Sequence, residues 1–144
     1  LVDWQLKKRI GPLAYVWAGL KALVEAKPTV AVSASGANLA GEQILIGNGR
    51  LYGGDFATFQ DAQLDDGRLD VCVFPRANFW TLLRCAAPLL LASRLPESSV
   101  LRAQVPEFTL SGPDSAMFEL DGELVGKLPV KFAVVPRRLR VIVP

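Results

Sequence analysis

Four aspartates lie in the short segment Asp61 to Asp70, with Gly67 among them. They are Asp61, Asp65, Asp66 and Asp70. Carboxylate and backbone carbonyl oxygens are the ligands of hard cations such as Mg²⁺ and Ca²⁺. A glycine also permits the tight turn that would direct carbonyls at one point. The segment could therefore be a hard-cation loop, but spacing alone favours a β-hairpin turn, which Asp-Gly commonly forms.

A second acidic group is Asp121-Gly122-Glu123, which follows the apolar residues Phe118 and Leu120. Carboxylates on either side of a turn can converge on one substrate proton, which is the task of a general base. A catalytic acid–base pair is therefore one interpretation of the group. The sequence alone favours the alternative, a solvated hairpin turn, because Asp-Gly-Glu is a short and common sequence.

Glycines cluster in the segment Gly47 to Gly54, which reads Gly-Asn-Gly-Arg-Leu-Tyr-Gly-Gly. It lacks the Gly-Lys-Ser/Thr of a phosphate-binding loop and the spacing of a dinucleotide fingerprint. Glycines near a strand often mark the close approach of another part of the chain. We expect a packing role, with the lining of a substrate cleft as the alternative.

Composition excludes several classes of function. The chain has 144 residues, 51% of them hydrophobic, which predicts one globular domain spanning residues 1–144. The net charge of +2 is too small to favour nucleic-acid binding. The absence of histidine excludes a Ser-His-Asp triad and a His-ligated zinc within these residues. Cys72 and Cys85 lie among apolar residues and are expected to be buried free thiols, with a disulfide left open.

The sequence shows neither a signal peptide nor a membrane-spanning stretch. The longest apolar stretch, Phe79 to Leu95, is interrupted by Arg84, Pro88 and Arg94. It is shorter than the roughly 20 apolar residues that a bilayer requires. We expect a cytoplasmic location, with peripheral membrane association left open.

Hydrophobic periodicity predicts a mainly β protein, an antiparallel β-sandwich with two helical insertions. One helix begins at Gly11-Pro12 and ends before Pro28. The other runs from Phe79 to Leu91 after the N-cap Asn78, and is kinked or broken at Pro88. The predicted strands are Val30–Val32, Ile44–Ile46, Leu69–Phe74, Val100–Val105, Phe108–Ser111, Met117–Leu120, Val130–Val135 and Leu139–Val143.

The Phe79 to Leu91 helix and its Trp80 form an apolar surface that needs a partner. Core packing is the expected role. Contact with a lipid tail or a membrane face is the alternative. Lys7-Lys8-Arg9 and Arg137-Arg138 would then meet anionic headgroups, although such basic groups are commonly only solvated.

The order of these motifs resembles the C-terminal domain of the diacylglycerol kinase and sphingosine kinase family, which includes bacterial lipid kinases. The upstream Gly11 to Tyr15, Gly-Pro-Leu-Ala-Tyr, also resembles the family. The resemblance covers nearly the whole chain. It rests on Gly47 to Gly54, Asp61 to Asp70, Asn78 to Leu95, Asp121 to Glu123 and Pro136 to Pro144.

The resemblance implies an ATP-dependent lipid kinase built on a β-sandwich second domain. Glu123 would take the proton of a diacylglycerol-like hydroxyl as that oxygen attacks the γ-phosphate of ATP, with Asp121 in a supporting role. A structural Mg²⁺ would be held by the Asp66 carboxylate and by the backbone carbonyls of Gln63 and Arg68.

Two departures from the family's pattern matter. Asp55 stands where a third glycine is usual, and the family's Gly-Gly-Asp-Gly-Thr nucleotide motif is absent. ATP would therefore be bound mainly by an N-terminal nucleotide-binding domain outside this chain, and the chain alone would be inactive. The implied partners are that domain, a lipid substrate and a membrane surface, with homodimerisation left open.

Two other functions remain open for the same sequence. One is a non-catalytic lipid-binding or interaction module of the same fold. The other is a distant NAD kinase-like domain, which also has a strand-rich second half. A lipid-tail-sized apolar cleft that opens beside Glu123 would favour the lipid kinase and the lipid-binding module over the NAD kinase-like domain.

Overall fold

The computed structural model describes residues 28–34, 36–52, 56–92 and 94–138. Three sequence predictions lie outside the described residues: the helix that begins at Gly11, the final strand Leu139–Val143, and the Gly53 to Asp55 part of the glycine cluster. Within the described ranges the chain forms nine strands and one α-helix, α1, at Phe79–Ala92. The strands are β1 (Val30–Ala34), β2 (Ala37–Gly41), β3 (Gln43–Gly47), β4 (Leu69–Phe74), β5 (Leu101–Val105), β6 (Glu107–Ser111), β7 (Met117–Leu120), β8 (Glu123–Lys127) and β9 (Val130–Ala133).

The strands form three antiparallel sheets. A four-stranded sheet has the order β2-β1-β6-β9, a three-stranded sheet has the order β3-β4-β5, and β7 pairs with β8. The two larger sheets share one core, because residues from both belong to a single buried cluster. The main contributors are Val32, Phe108 and Leu110 from the first sheet and Val71, Val73 and Val105 from the second. The predicted mainly β, antiparallel architecture is confirmed.

The three-stranded sheet is covered on its other face as well. Side chains alternate along a strand, so Cys72 of β4 points away from the core that contains Val71 and Val73. Cys72 belongs to a second buried cluster with Cys85 of α1 and with Phe59, Ala62, Leu95 and Val100. The helix therefore packs on the outer face of this sheet.

The start of α1 follows the sequence prediction. The Asn78 Oδ1 atom accepts hydrogen bonds from the Thr81 N–H at 3.0 Å and the Thr81 hydroxyl at 3.2 Å. This satisfies a backbone donor that the first helical turn leaves unpaired. The helix continues through Pro88 to Ala92, so it is not broken at the proline.

The sequence predicted that the apolar surface of α1 packs in the core, and this prediction is wrong for the outer surface of the helix. Trp80 is 71% exposed and Leu91 is 88% exposed, while Cys85 on the opposite side is buried. Among the side chains of α1 whose burial the structure describes, Cys85 is buried against the sheet, and Trp80, Leu83 and Leu91 face outward. Within residues 28–34, 36–52, 56–92 and 94–138, no helix has the length and apolarity that crossing a membrane requires.

Two strands were not predicted from the sequence. β2 consists of Ala, Asn, Leu, Ala and Gly, which lack the β-branched and aromatic side chains typical of strands. It forms because its backbone pairs with β1 along the whole strand, from Val30↔Gly41 to Ala34↔Ala37. β8 forms because a tight turn brings it back along β7.

Both cysteines are buried and unpaired, which confirms the free-thiol prediction. Burial is the main reason why the pKa of each thiol is raised. Such thiols are protonated and poorly nucleophilic at neutral pH.

Candidate functional site

The Asp121-Gly122 pair forms the two-residue turn of the β7–β8 hairpin. Leu120 and Glu123 are opposite each other in the ladder, and both turn residues have positive φ, 51° for Asp121 and 85° for Gly122. Positive φ at both central positions is the signature of a type I′ turn, whose twist matches that of the strands. The hairpin alternative is therefore confirmed here, and it places the two carboxylates at the tip.

The base of this hairpin is fixed in the core. Ala116 and Leu128 are both buried, and the Leu128 N–H donates to the Ala116 carbonyl at 3.2 Å. Further along, the Phe118 ring contacts the Phe132 ring edge-to-face, with centroids 5.8 Å apart. These contacts orient the hairpin although its tip extends into solvent.

Asp121 and Glu123 are both exposed. Neither carboxylate forms a hydrogen bond or ion pair with any residue in the described part of the chain. The tip therefore offers two adjacent carboxylates to a group that approaches from outside the domain.

The acidic loop, Asp61 to Asp70, has a different local structure from the hairpin turn. Asp66-Gly67 is not the turn of a simple hairpin, because a long connection from Asn48 to Arg68 separates β3 from its neighbour β4. Gly67 has a φ of 71°, and the Arg68 N–H donates to Asp66 Oδ1 at 2.8 Å. The aspartate thus stabilises its own turn with one oxygen.

Two polar side chains of β5 hold this connection against the sheet. The Arg102 guanidinium donates to the Thr58 carbonyl at 2.9 Å and contacts Cys72 Sγ at 3.2 Å. The Gln104 side-chain amide donates to the Asp61 carbonyl at 3.2 Å. Neither residue was predicted from the sequence, although their alternating positions in a strand were a signal that they share one face.

Asp70 is the buried member of the acidic group, with 7% of its surface exposed. Its Oδ1 atom accepts a hydrogen bond from Gln104 at 2.8 Å, and its Oδ2 atom is buried without a partner among the described residues. Burial is the largest cause that raises the pKa of this carboxyl; the nearby Asp66 and Asp61 raise it further, against the lowering effects of Gln104 and Arg102.

A cavity of about 250 Å³ adjoins Asp61, Asp70 and Gln104. In the described part of the chain no three His, Cys, Asp or Glu side chains are close enough to hold a metal. A cation here would therefore have few protein ligands and several waters, a donor set that suits Mg²⁺ better than zinc. The unpartnered Asp70 oxygen fits a nearby cation, whereas the predicted ligands Gln63, Asp66 and Arg68 do not line this cavity.

The glycine cluster has two roles. A Cβ atom at Gly47 would collide with the Phe59 ring, so packing explains this glycine. Gly49 instead lines a cavity of about 720 Å³ with the apolar side chains of Leu51, Ala57 and Leu64. Gly49 therefore fits the alternative prediction, that glycines of this cluster line a cleft.

The acidic loop and this apolar cavity share a wall. Gln63, Leu64 and Asp65 line the cavity, and they directly precede the Asp66-Gly67 turn. The structure also brings the loop near the C-terminal motif, since a Cβ atom at Gly67 would contact Pro136 at 3.7 Å. Within the described ranges, no hydrogen bond or ion pair joins the loop to the Asp121–Glu123 tip.

Comparison with known proteins identifies relatives over nearly the whole chain. Residues 3–143 match the family described as the YegS C-terminal NAD kinase beta sandwich-like domain. A diacylglycerol kinase of Bacillus subtilis is 27% identical over 99% of this chain and 48% of the relative. A probable lipid kinase YegS-like protein of Stenotrophomonas maltophilia is 33% identical over 99% of this chain and 47% of the relative.

A solved structure supports the fold. A crystal structure of a diacylglycerol kinase from Bacillus anthracis superposes with a TM-score of 0.65 and 18% sequence identity, over 94% of this chain and 47% of that one. The chain thus spans about half the length of the relatives it matches. It belongs to the YegS C-terminal NAD kinase beta sandwich-like domain family.

Proposed function

We propose that this chain is the substrate-side, C-terminal domain of an ATP-dependent lipid kinase that phosphorylates the hydroxyl of a diacylglycerol-like lipid. The observation that carries the proposal is the type I′ turn that presents Asp121 and Glu123 to solvent. The names of the relatives, diacylglycerol kinase and probable lipid kinase, support the reaction class.

Glu123 is the proposed general base. Its carboxylate takes the proton of the lipid hydroxyl as the lipid oxygen forms a bond to the γ-phosphorus of ATP. The bond between that phosphorus and the bridging oxygen breaks, and ADP leaves. Asp121 lies beside the base at the turn and has the proposed supporting role.

The nucleotide is assigned to the missing half of the protein. Phosphoryl transfer depends on positioning and on neutralising phosphate charge, so a base without a phosphate site is insufficient. The chain covers less than half of each relative's length, which leaves room for such a domain. The exposed tip provides a surface on which that domain could place ATP.

The apolar cavity beside Gly49 and Leu64 is the proposed site for part of the lipid. Its volume of about 720 Å³ lies within the roughly 300–1,000 Å³ that is usual for ligand sites. The acidic loop forms part of the wall of this cavity. The conformation of the loop therefore also affects the shape of the proposed lipid site.

The acidic loop is the proposed structural Mg²⁺ site. Asp66 would bind through its free carboxylate oxygen, and Gln63 and Arg68 through their backbone carbonyls. When bound, Mg²⁺ would offset the mutual repulsion of Asp61, Asp66 and Asp70.

The test is a pair of isosteric variants in the intact protein. Glu123→Gln should lower the rate of ATP-dependent phosphorylation of diacylglycerol by about 10²–10⁴-fold, the usual contribution of a general base. Glu119→Gln is the matched control, since it makes the same change on the same hairpin. Wild-type turnover by Glu123→Gln would rule out the proposed base, and intact protein that binds lipid without turnover would favour the non-catalytic module.

A further inference from the structure

The outward face of α1 carries a continuous apolar stripe. Trp80, Leu83, Ala87 and Leu91 are spaced three or four residues apart, so they lie on one side of the helix. The exposed fractions are 71% for Trp80, 54% for Leu83 and 88% for Leu91. A surface helix normally shows polar residues on this side, and the inversion requires a partner.

The stripe lies in a basic and acid-free segment. Arg76, Arg84 and Arg94 are exposed, and the sequence has no Asp or Glu between Arg76 and Arg94. None of these guanidinium groups pairs with a carboxylate in the described part of the chain. An apolar face bordered by unpaired arginines complements a surface that is apolar inside and anionic outside.

Two protein partners fit this charge pattern less well. A second copy related by a two-fold axis would bring like charges together, because Arg84 lies at the edge of the stripe. Residues 1–27 are also basic, with five Lys and Arg (Lys7, Lys8, Arg9, Lys21, Lys27) against the two acids Asp3 and Glu25. Charge repulsion thus disfavours both a second copy of the chain and residues 1–27 as the partner that covers the stripe.

We propose that α1 is a docking helix for an anionic bilayer surface. Trp80 and Leu83 enter the boundary between headgroups and acyl chains, while the three arginines contact lipid phosphates. The Asn78 cap and the buried Cys85 fix the helix so that the stripe faces outward. The inference deepens the proposed function, on which it rests, because the substrate of a lipid kinase lies in such a surface.

Vesicle binding of the intact protein tests the inference without ATP or turnover. The protein is mixed with vesicles of phosphatidylcholine alone, or of phosphatidylcholine and phosphatidylglycerol, and the bound fraction is measured by sedimentation. Trp80→Ser should weaken binding about tenfold, as expected for one large apolar side chain. Arg84→Gln should weaken it about fivefold, and only on vesicles that contain phosphatidylglycerol.

Val135→Ser is the control, since Val135 is 67% exposed and lies outside the helix. It should bind vesicles like the wild type. Brominated lipids should quench the fluorescence of wild type more than that of Trp80→Phe, because the removed indole lies in the bilayer. Trp80→Phe itself should retain most of the binding, since an aromatic ring is kept.

Equal vesicle binding by Trp80→Ser and wild type would overturn the inference. So would a change in molecular mass, or a lower unfolding temperature, in Trp80→Ser without lipid, because either would show that protein covers the stripe. The proposed function can fail separately. If vesicle binding depends on Trp80 but the intact protein phosphorylates no lipid, the docking inference stands and the proposed kinase activity is rejected.

Discussion

The two Asp-Gly turns of this domain have the same sequence and opposite surroundings. Asp121-Gly122 ends a hairpin whose tip contacts no other described side chain through a polar bond. Asp66-Gly67 closes a loop in which the Asp66 carboxylate accepts a hydrogen bond from the Arg68 N–H, beside the buried Asp70. The dipeptide specifies the backbone turn, and the neighbouring strands decide what the carboxylates can do.

The difference suggests a division of labour. The carboxylates at the hairpin tip are exposed and can contact a second domain or a substrate. A buried carboxylate with an empty acceptor site costs free energy unless something fills that site. The tip therefore suits chemistry shared with another domain, and the loop suits a resident cation.

Cation binding should separate the two turns most strongly. Adding Mg²⁺ to chelated intact protein should stabilise it by about 2.7 kcal/mol at a concentration one hundred times the dissociation constant. Asp66→Ala should abolish this gain, whereas Asp65→Ala, next to it, and Asp121→Asn at the tip should retain it. The unfolding temperature with and without Mg²⁺ is the measurement, and identical wild-type values would remove the cation from the account.

Packing behind the loop gives the next largest effect. Gly47→Ala forces a methyl group against Phe59, which anchors the connection to the acidic loop, and overpacking typically costs about 1–3 kcal/mol. Gly49→Ala is the control, since its Cβ atom would meet only the end of the Leu64 side chain at 3.2 Å. Chemical denaturation measures both. A loss in Gly49→Ala as large as that in Gly47→Ala would contradict the two roles assigned to these glycines.

The hairpin tip should respond to backbone conformation. Asp121→Ala places an alanine at a φ of 51°, which costs about 1 kcal/mol, while asparagine adopts this region readily. Asp121→Asn should therefore keep the stability of wild type and lose only the charge. Thermal unfolding separates the two variants. If Asp121→Asn is as unstable as Asp121→Ala, the carboxylate has a structural role that the exposed tip does not explain.

The smallest expected effect is the change in stability with pH that the buried Cys72 thiol causes. Burial raises the pKa of Cys72 in the folded state, so the unfolded chain loses this proton first as the pH rises. Stability is then fully present below the unfolded thiol pKa, about 8.5, and falls as the pH rises through the higher folded value. The denaturation midpoint of wild type should fall more steeply above pH 8 than that of Cys72→Ala. Parallel curves would show that Cys72 is not protected by burial.

Much of this fold follows from periodicity in the sequence. The helix at Phe79, its Asn78 cap and the strands at Leu69 and Met117 were predicted because apolar spacing and capping residues are local signals. β2 was missed because its pairing with β1 is not encoded in its own side chains. The outward stripe of α1 was missed because periodicity detects an apolar face but not the direction in which it points.

The candidate site was predictable only in parts. The acidic segments and glycines were recognisable by type, and the hairpin turn by its dipeptide. Arg102 and Gln104 were not, since the residues they bond, Thr58 and Asp61, are far away in sequence. The unpartnered oxygen of Asp70 depends on burial by several elements, which no local pattern records.

Calorimetric titration with ATP tests the division of labour most directly. The 144-residue chain, after a cooperative thermal transition has shown that it folds, is compared with the intact protein. The expected result is no saturable binding to the chain at millimolar ATP and saturable binding to the intact protein. Saturable binding of ATP by the chain alone would contradict it, because the nucleotide site would then lie in the half to which the lipid and the base are assigned.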